Sequence, residues 1–101
     1  MNTNHIYSIA NFKFKKDKIK EVKAGLEELI EVSKKEQGCV DYYYLQSLED
    51  PTVLMSFEVW ETQTDIDAHI ERVQKSSNKV FTEYLDGMPT LINYQKVENL
   101  T

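Results

Sequence analysis

The chain has 101 residues and a formal net charge of −5, with 41% hydrophobic and 29% charged residues. That length and composition fit one soluble globular domain over residues 1–101, its core running from about residue 5 to about residue 97. The acidic balance excludes the basic footprint that nucleic-acid phosphates require, while leaving small ligands open.

No apolar run approaches the ~18 residues of a membrane span. The N-terminal "MNTNHIYSIANF" has no basic start, apolar stretch or small-residue cleavage site, so no signal peptide is expected. The single cysteine, Cys39, rules out an intrachain disulfide and suits a reducing, cytoplasmic compartment.

Residues 5–14, "HIYSIANFKF", are rich in Ile, Tyr and Phe and predict a strand. Ile6, Ala10, Phe12 and Phe14 share one face of it, with Tyr7, Ile9 and Asn11 on the other. Residues 17–38 predict a helix: Ile19, Val22, Leu26, Leu29, Ile30 and Ser33 form one stripe. Asp17 is the expected N-cap, Gly38 the expected stop, and Gly25 a point of close packing. Residues 39–50 and 51–60 predict two strands joined through the turn "EDPT". Residues 62–76 predict an amphipathic helix on Ile66, Ile70 and Val73. Residues 77–87 predict a second, short helix ending near Gly87, and residues 88–97 a last strand.

The order βαββα(α)β implies an α+β domain: a four-stranded antiparallel sheet with helices on one face, the ferredoxin-like arrangement. The other face is apolar and aromatic. A patch of that size on a monomer is a liability, and the simplest remedy is a second copy packed sheet against sheet. A homodimer is therefore expected.

Trp60 closes the third strand, and Glu58 shares its face. His69, nine residues on, lies about 60° from Ile66, at the edge of the apolar stripe. A strand end and a helix edge can enclose a cleft, with Asn11 as a polar group on its floor. Each residue also has a plainer reading. A lone tryptophan in a small domain is most often core. A histidine at a stripe edge is more often a hydrogen-bonded boundary residue than a catalyst. The Tyr42, Tyr43, Tyr44 run is more often sheet packing, and Cys39 an inert small hydrophobe. No Ser–His–Asp arrangement, metal-ligand cluster or Gly-rich phosphate loop is present in the sequence.

"EQGCVDYYY" followed by "FEVWETQTDIDAH" resembles the antibiotic-biosynthesis monooxygenase domain. The matching positions are Glu36, Gly38, Cys39, Tyr42, Glu58, Trp60 and His69, and the likeness spans about residues 5–97. The resemblance implies a dimeric α+β barrel of ferredoxin-like subunits. It also implies one of several chemistries: metal-free and flavin-free oxidation of phenols and quinols, heme degradation using an asparagine, the tryptophan and the histidine, or isomerisation of a phosphorylated metabolite. This sequence departs from the pattern at Gln74, where many members have a second histidine, and in its more polar "KSSNKVF".

The leading expectation is a cofactor-independent monooxygenase acting on a small aromatic quinol or phenol. His69 is the expected base, because imidazole ordinarily titrates near pH 6.5. Asn11 would donate to the oxyanion and Trp60 would stack on the ring. Tyr42, Tyr44, Glu58 and Phe81 are the expected substrate contacts. No metal or cofactor is expected. The open alternatives are a heme-degrading enzyme with His69 as axial ligand, an isomerase with Arg72 or the scattered lysines near that helix as phosphate anchors, and a non-enzymatic dimeric binding or stress protein.

Overall fold

The computed structural model describes residues 4–98; the outermost residues of the expected domain, 1–3 and 99–101, lie outside the described residues. The strands are β1 (Ile6–Lys13), β2 (Cys39–Gln46), β3 (Val53–Trp60) and β4 (Thr90–Tyr94). The helices are α1 (Ile19–Ser33), preceded by a 3₁₀ turn at Lys16–Lys18, α2 (Gln63–Lys75) and the single turn α3 (Val80–Glu83). All strand pairs are antiparallel, in the order β2-β3-β1-β4. This is the ferredoxin-like α+β sheet that the element order implied.

Register follows from alternation. Ala10 stands opposite Ser56 on β3 and Leu91 on β4, and Glu58 stands opposite Ser8 on β1 and Tyr42 on β2. Residues opposite one another share a face, so the inner face carries Ser8, Ala10, Phe12, Tyr42, Tyr44, Leu54, Ser56, Glu58 and Trp60. The core forms where α1 lays Val22, Leu26 and Leu29, and α2 lays Ile66, against Tyr42, Leu54 and Trp60. Burying each such aliphatic side chain stabilises the fold by about 1.5–3 kcal/mol.

Several boundaries differ from expectation for local reasons. Asp17 makes no capping bond to the helix; it lies in the 3₁₀ turn, and Lys18 takes the N-cap position of α1. The helix stops at Ser33, five residues short of Gly38, because the chain tightens there. Lys35 N–H donates to Val32 O at 3.1 Å and Glu36 N–H to Ser33 O at 3.1 Å, the shortened bonding that closes helix ends. Gly38 follows with φ 81°, where a Cβ would run into the Asp65 carboxyl. Asp65 is itself fixed by the α2 cap, its N–H donating to Thr62 Oγ1 at 3.1 Å. Gly25 does provide the close packing expected of it: Val80 sits where its side chain would be, and Asn78 donates to its carbonyl at 2.8 Å.

The outer face carries Tyr7, Ile9, Tyr43, Leu45, Phe57, Ile92 and Tyr94. Tyr43 stacks on Phe57 at 5.2 Å between ring centroids. Leu45, Ile92 and Tyr94 are all about half exposed.

Candidate active site

A cavity of about 200 Å³ lies between the inner sheet face and α2. It exists because the sheet residues beneath α2 are small. Ser8 and Ala10 form its floor, while Ile66, Ile70 and Val73 form its roof. Phe12, Tyr44 and Phe81 make an aromatic wall, with Phe12 and Phe81 at 5.0 Å between centroids and Phe12 and Tyr44 at 6.2 Å. Leu91 and Gln74 line the outer end, and both are exposed. Gln74, at the position where the resemblance leads one to expect a second histidine, is thus a mouth residue.

The polar end is formed by Tyr42, Glu58 and His69. The Tyr42 and Tyr44 hydroxyls share a hydrogen bond at 3.0 Å. Burial is the first cause that raises the pKa of both phenols, and the nearby Glu58 charge adds to it. His69 is 5% exposed and packs edge-on to Tyr42 at 5.3 Å. Its Nδ1 lies 2.7 Å from Glu36 Oε1 and its Nε2 lies 3.8 Å from Glu58 Oε1. The imidazole is thus bracketed by two carboxyl groups.

The two carboxyl groups differ in environment. Glu58 is pushed above the ordinary carboxyl range by burial, only partly offset by the Trp60 hydrogen bond. Burial also pushes Glu36 up, but hydrogen bonds from Arg72 and His69 outweigh it and hold Glu36 below the ordinary range. Arg72 Nε donates to Glu36 Oε2 at 2.5 Å, and Arg72 Nη2 donates to Glu36 Oε1 at 3.1 Å and to Ser33 Oγ at 3.0 Å.

Of the residues expected at the site, His69, Tyr42, Tyr44, Glu58 and Phe81 meet around one cavity. Trp60 does not line it. The indole is fully buried behind the polar end, 4.8 Å from the His69 ring, and donates Nε1–H to Glu58 Oε1 at 2.9 Å. Asn11 is not there at all. It is exposed on the outer face, opposite Met55 and Thr90, because Ser8, Ala10 and Phe12 take the inward positions of β1. Asn11 therefore cannot floor the cleft or serve an oxyanion inside it.

The Glu36–Arg72–Ser33 brace escaped the sequence reading. Glu36 entered only as a motif match and Arg72 only as a phosphate anchor, whereas the Arg72 guanidinium is committed to Glu36. The available signal was spacing: His69 and Arg72 are three apart on one helix face, as are Ser33 and Glu36 at the end of α1. Among the described residues, no group of three or more His, Cys, Asp or Glu is arranged to hold a metal ion. No described helix is long and apolar enough to cross a membrane.

The sequence model of the antibiotic biosynthesis monooxygenases matches residues 5–74, from β1 to the end of α2. The chain belongs to the antibiotic biosynthesis monooxygenase family. The match takes in His69, Glu58 and the Glu36 turn, while Phe81 and Leu91 of the cavity wall lie beyond it. Among solved structures, a conserved protein from Methanosarcina mazei Go1 superimposes with a TM-score of 0.82 at 31% identity, over 94% of this chain and 95% of that one. A candidate antibiotic biosynthesis monooxygenase from Nitrosomonas europaea superimposes with a TM-score of 0.86 at 22% identity, over 100% and 98% of the two chains, a likeness of fold. An uncharacterized protein of Synechocystis sp. is 29% identical over 82 residues, 81% of this chain. This monooxygenase-family chain spans 52% of that relative's length.

Proposed function

We propose that this protein is a cofactor-independent monooxygenase that oxidises a small, neutral aromatic quinol or phenol with O₂. The observation that carries the reading is an almost wholly apolar cavity whose one polar end presents His69 beside Glu58. Such a cavity desolvates an aromatic ring, and an imidazole nitrogen at its end takes the phenolic proton. The O–H bond breaks, an N–H bond forms at Nε2, and the electron-rich phenolate reacts with O₂. One oxygen atom enters the substrate and the other leaves as water, with all electrons supplied by the substrate.

The cavity favours this reading over the alternatives. Among the described residues, no Lys or Arg lines it, so a phosphate would enter without a counter-charge and beside Glu58. Arg72, the nearest guanidinium, is already paired. The volume of about 200 Å³ is little more than the roughly 150 Å³ known to hold a benzene ring. It suits one or two fused rings and is far too small for a porphyrin.

The apolar outer face supports a homodimer packed sheet against sheet, and the one unpaired cysteine supports a reducing, cytoplasmic setting.

The test is O₂ consumption with a panel of hydroquinones and naphthohydroquinones, with ¹⁸O₂ traced into product. His69→Ala should lower turnover by about 10²–10⁴ without unfolding the protein. An intact protein that neither binds nor oxidises any member of the panel overturns the reading.

A further inference from the structure

We propose that Glu36, braced by Arg72 and Ser33, is a positioning residue that fixes His69 as its Nδ1–H tautomer and leaves Nε2 as the proton-accepting nitrogen facing the cavity. This deepens the function proposed above, on which its catalytic consequence rests; the tautomer itself does not depend on it.

The geometry begins with what Glu36 can do. An ionised carboxylate only accepts hydrogen bonds. Its Oε2 is taken by Arg72 Nε, and its Oε1 by Arg72 Nη2 at 3.1 Å and His69 Nδ1 at 2.7 Å. At 2.7 Å from an acceptor-only oxygen, Nδ1 must carry the proton. A neutral imidazole then has its lone pair at Nε2.

Three features make this a brace and not a chance contact. Glu36 comes from the turn after α1, so the pair spans separate elements. Arg72 grips both carboxylate oxygens, a two-point contact that leaves the carboxylate no free rotation. The same guanidinium donates to Ser33, which is fully buried at the end of α1. The Arg72 charge also balances that of Glu36, so no net charge is added beside the imidazole.

On the other side of the ring, Nε2 stands 3.8 Å from Glu58 Oε1. That is too long for a direct hydrogen bond. The groups facing His69 are therefore Glu36 from the turn after α1, Arg72 from its own helix, Tyr42 from β2, and Glu58 and Trp60 from β3. Of these, only Glu58 and Tyr42 share the cavity with it. A substrate hydroxyl near the polar end meets a lone pair at Nε2, not an N–H.

The experiment reads the tautomer directly. Long-range ¹H–¹⁵N NMR spectra of the ligand-free protein at about pH 8 distinguish protonated from unprotonated ring nitrogens. The chain has two histidines, so His5→Gln completes the assignment. The expected result is a protonated Nδ1 and an unprotonated Nε2 on His69, with the proton moving to Nε2 in Glu36→Ala. A wild-type spectrum with the proton on Nε2 overturns the proposal, even if every variant fails to fold. In turnover with 1,4-naphthohydroquinone, Glu36→Ala should lose at least about tenfold in kcat with little change in KM, and Glu36→Asp should recover part. A flipped tautomer with kcat unchanged overturns the positioning role. An Nδ1–H tautomer in a protein with no quinol turnover supports the tautomer assignment and overturns the proposed reaction instead.

Discussion

Trp60 donates its indole Nε1–H to Glu58 Oε1 at 2.9 Å, and the Glu58 carboxyl is what faces the cavity. The tryptophan is thus a buried support for a cavity residue. Trp60→Ala should accordingly behave as a core deletion costing about 3–5 kcal/mol, a large share of the stability of a domain this size. Trp60→Phe should cost less, because it keeps most of the packing and loses the hydrogen bond. Urea unfolding measures both. A nearly neutral Trp60→Ala would mean that the indole faces solvent or cavity.

Glu58 makes stability depend on pH with a definite sign. Its carboxyl titrates above the ordinary range in the folded protein, first because it is buried. The folded state then binds this proton more tightly than the unfolded state does. The associated stabilisation is complete below the unfolded value of about 4.3 and is lost as pH rises through the folded value. Glu36 works oppositely: its stabilisation is complete above the unfolded value and is lost as pH falls through its lowered folded value. Glu58→Gln should therefore remove the loss on the alkaline side and leave the acid-side loss in place. Unfolding free energies from pH 3 to 8 show whether the two limbs separate in this way.

The sheet, its helices and most of the cavity wall were legible because they follow from period. Alternation along β1 and β3 and the stripe of α2 place Phe12, Glu58 and Ile66 without any tertiary knowledge. The same alternation puts Asn11 on the outer face, opposite Met55 and Thr90, away from any polar floor. Trp60 lies one layer deeper than expected, since sharing a face with Glu58 does not say which of the two reaches the cavity. The Glu36–Arg72 pair joins residues 36 apart in sequence. Spacing hints at each half of the brace, but only tertiary packing joins the halves, since α1 stops at Ser33 and Glu36 turns inward from the segment that follows.

Cys39 should be dispensable. Burial first, then the charges of Glu58 and Glu36, raise its thiol pKa to about 11. At pH 7 only roughly one thiol in 10⁴ is then thiolate, the reactive form. Iodoacetamide should label the native protein far more slowly than the unfolded chain, and Cys39→Ala should retain turnover. Rapid native alkylation, or a Cys39→Ala variant that folds but does not turn over, would point to a thiol mechanism instead.

The outer sheet face should hold two copies together. Sedimentation at micromolar concentration should give about twice 11.8 kDa. Ile92→Asp puts a charge on a half-exposed residue of the edge strand β4 on that face and should shift the protein toward monomer while leaving its helical signal intact. A wild-type monomer at that concentration would remove the dimer.

Selection by charge is the sharpest test of the cavity itself. Its polar end holds a carboxyl and an imidazole, and among the described residues no Lys or Arg lines it. An anionic ligand would lose its hydration and gain a like-charged or neutral neighbour, a juxtaposition that costs affinity. A neutral naphthalenediol should therefore bind at least about tenfold more tightly than the corresponding hydroxynaphthoate, a difference of about 1.4 kcal/mol. Titration calorimetry reads both affinities without requiring turnover. Glu58→Gln removes the negative charge and keeps the shape, so it should narrow the gap by improving the naphthoate alone. Arg72→Met should widen the gap, because it leaves the Glu36 charge beside His69 unbalanced. A naphthoate that binds as tightly as the diol would show that the cavity supplies a counter-charge after all.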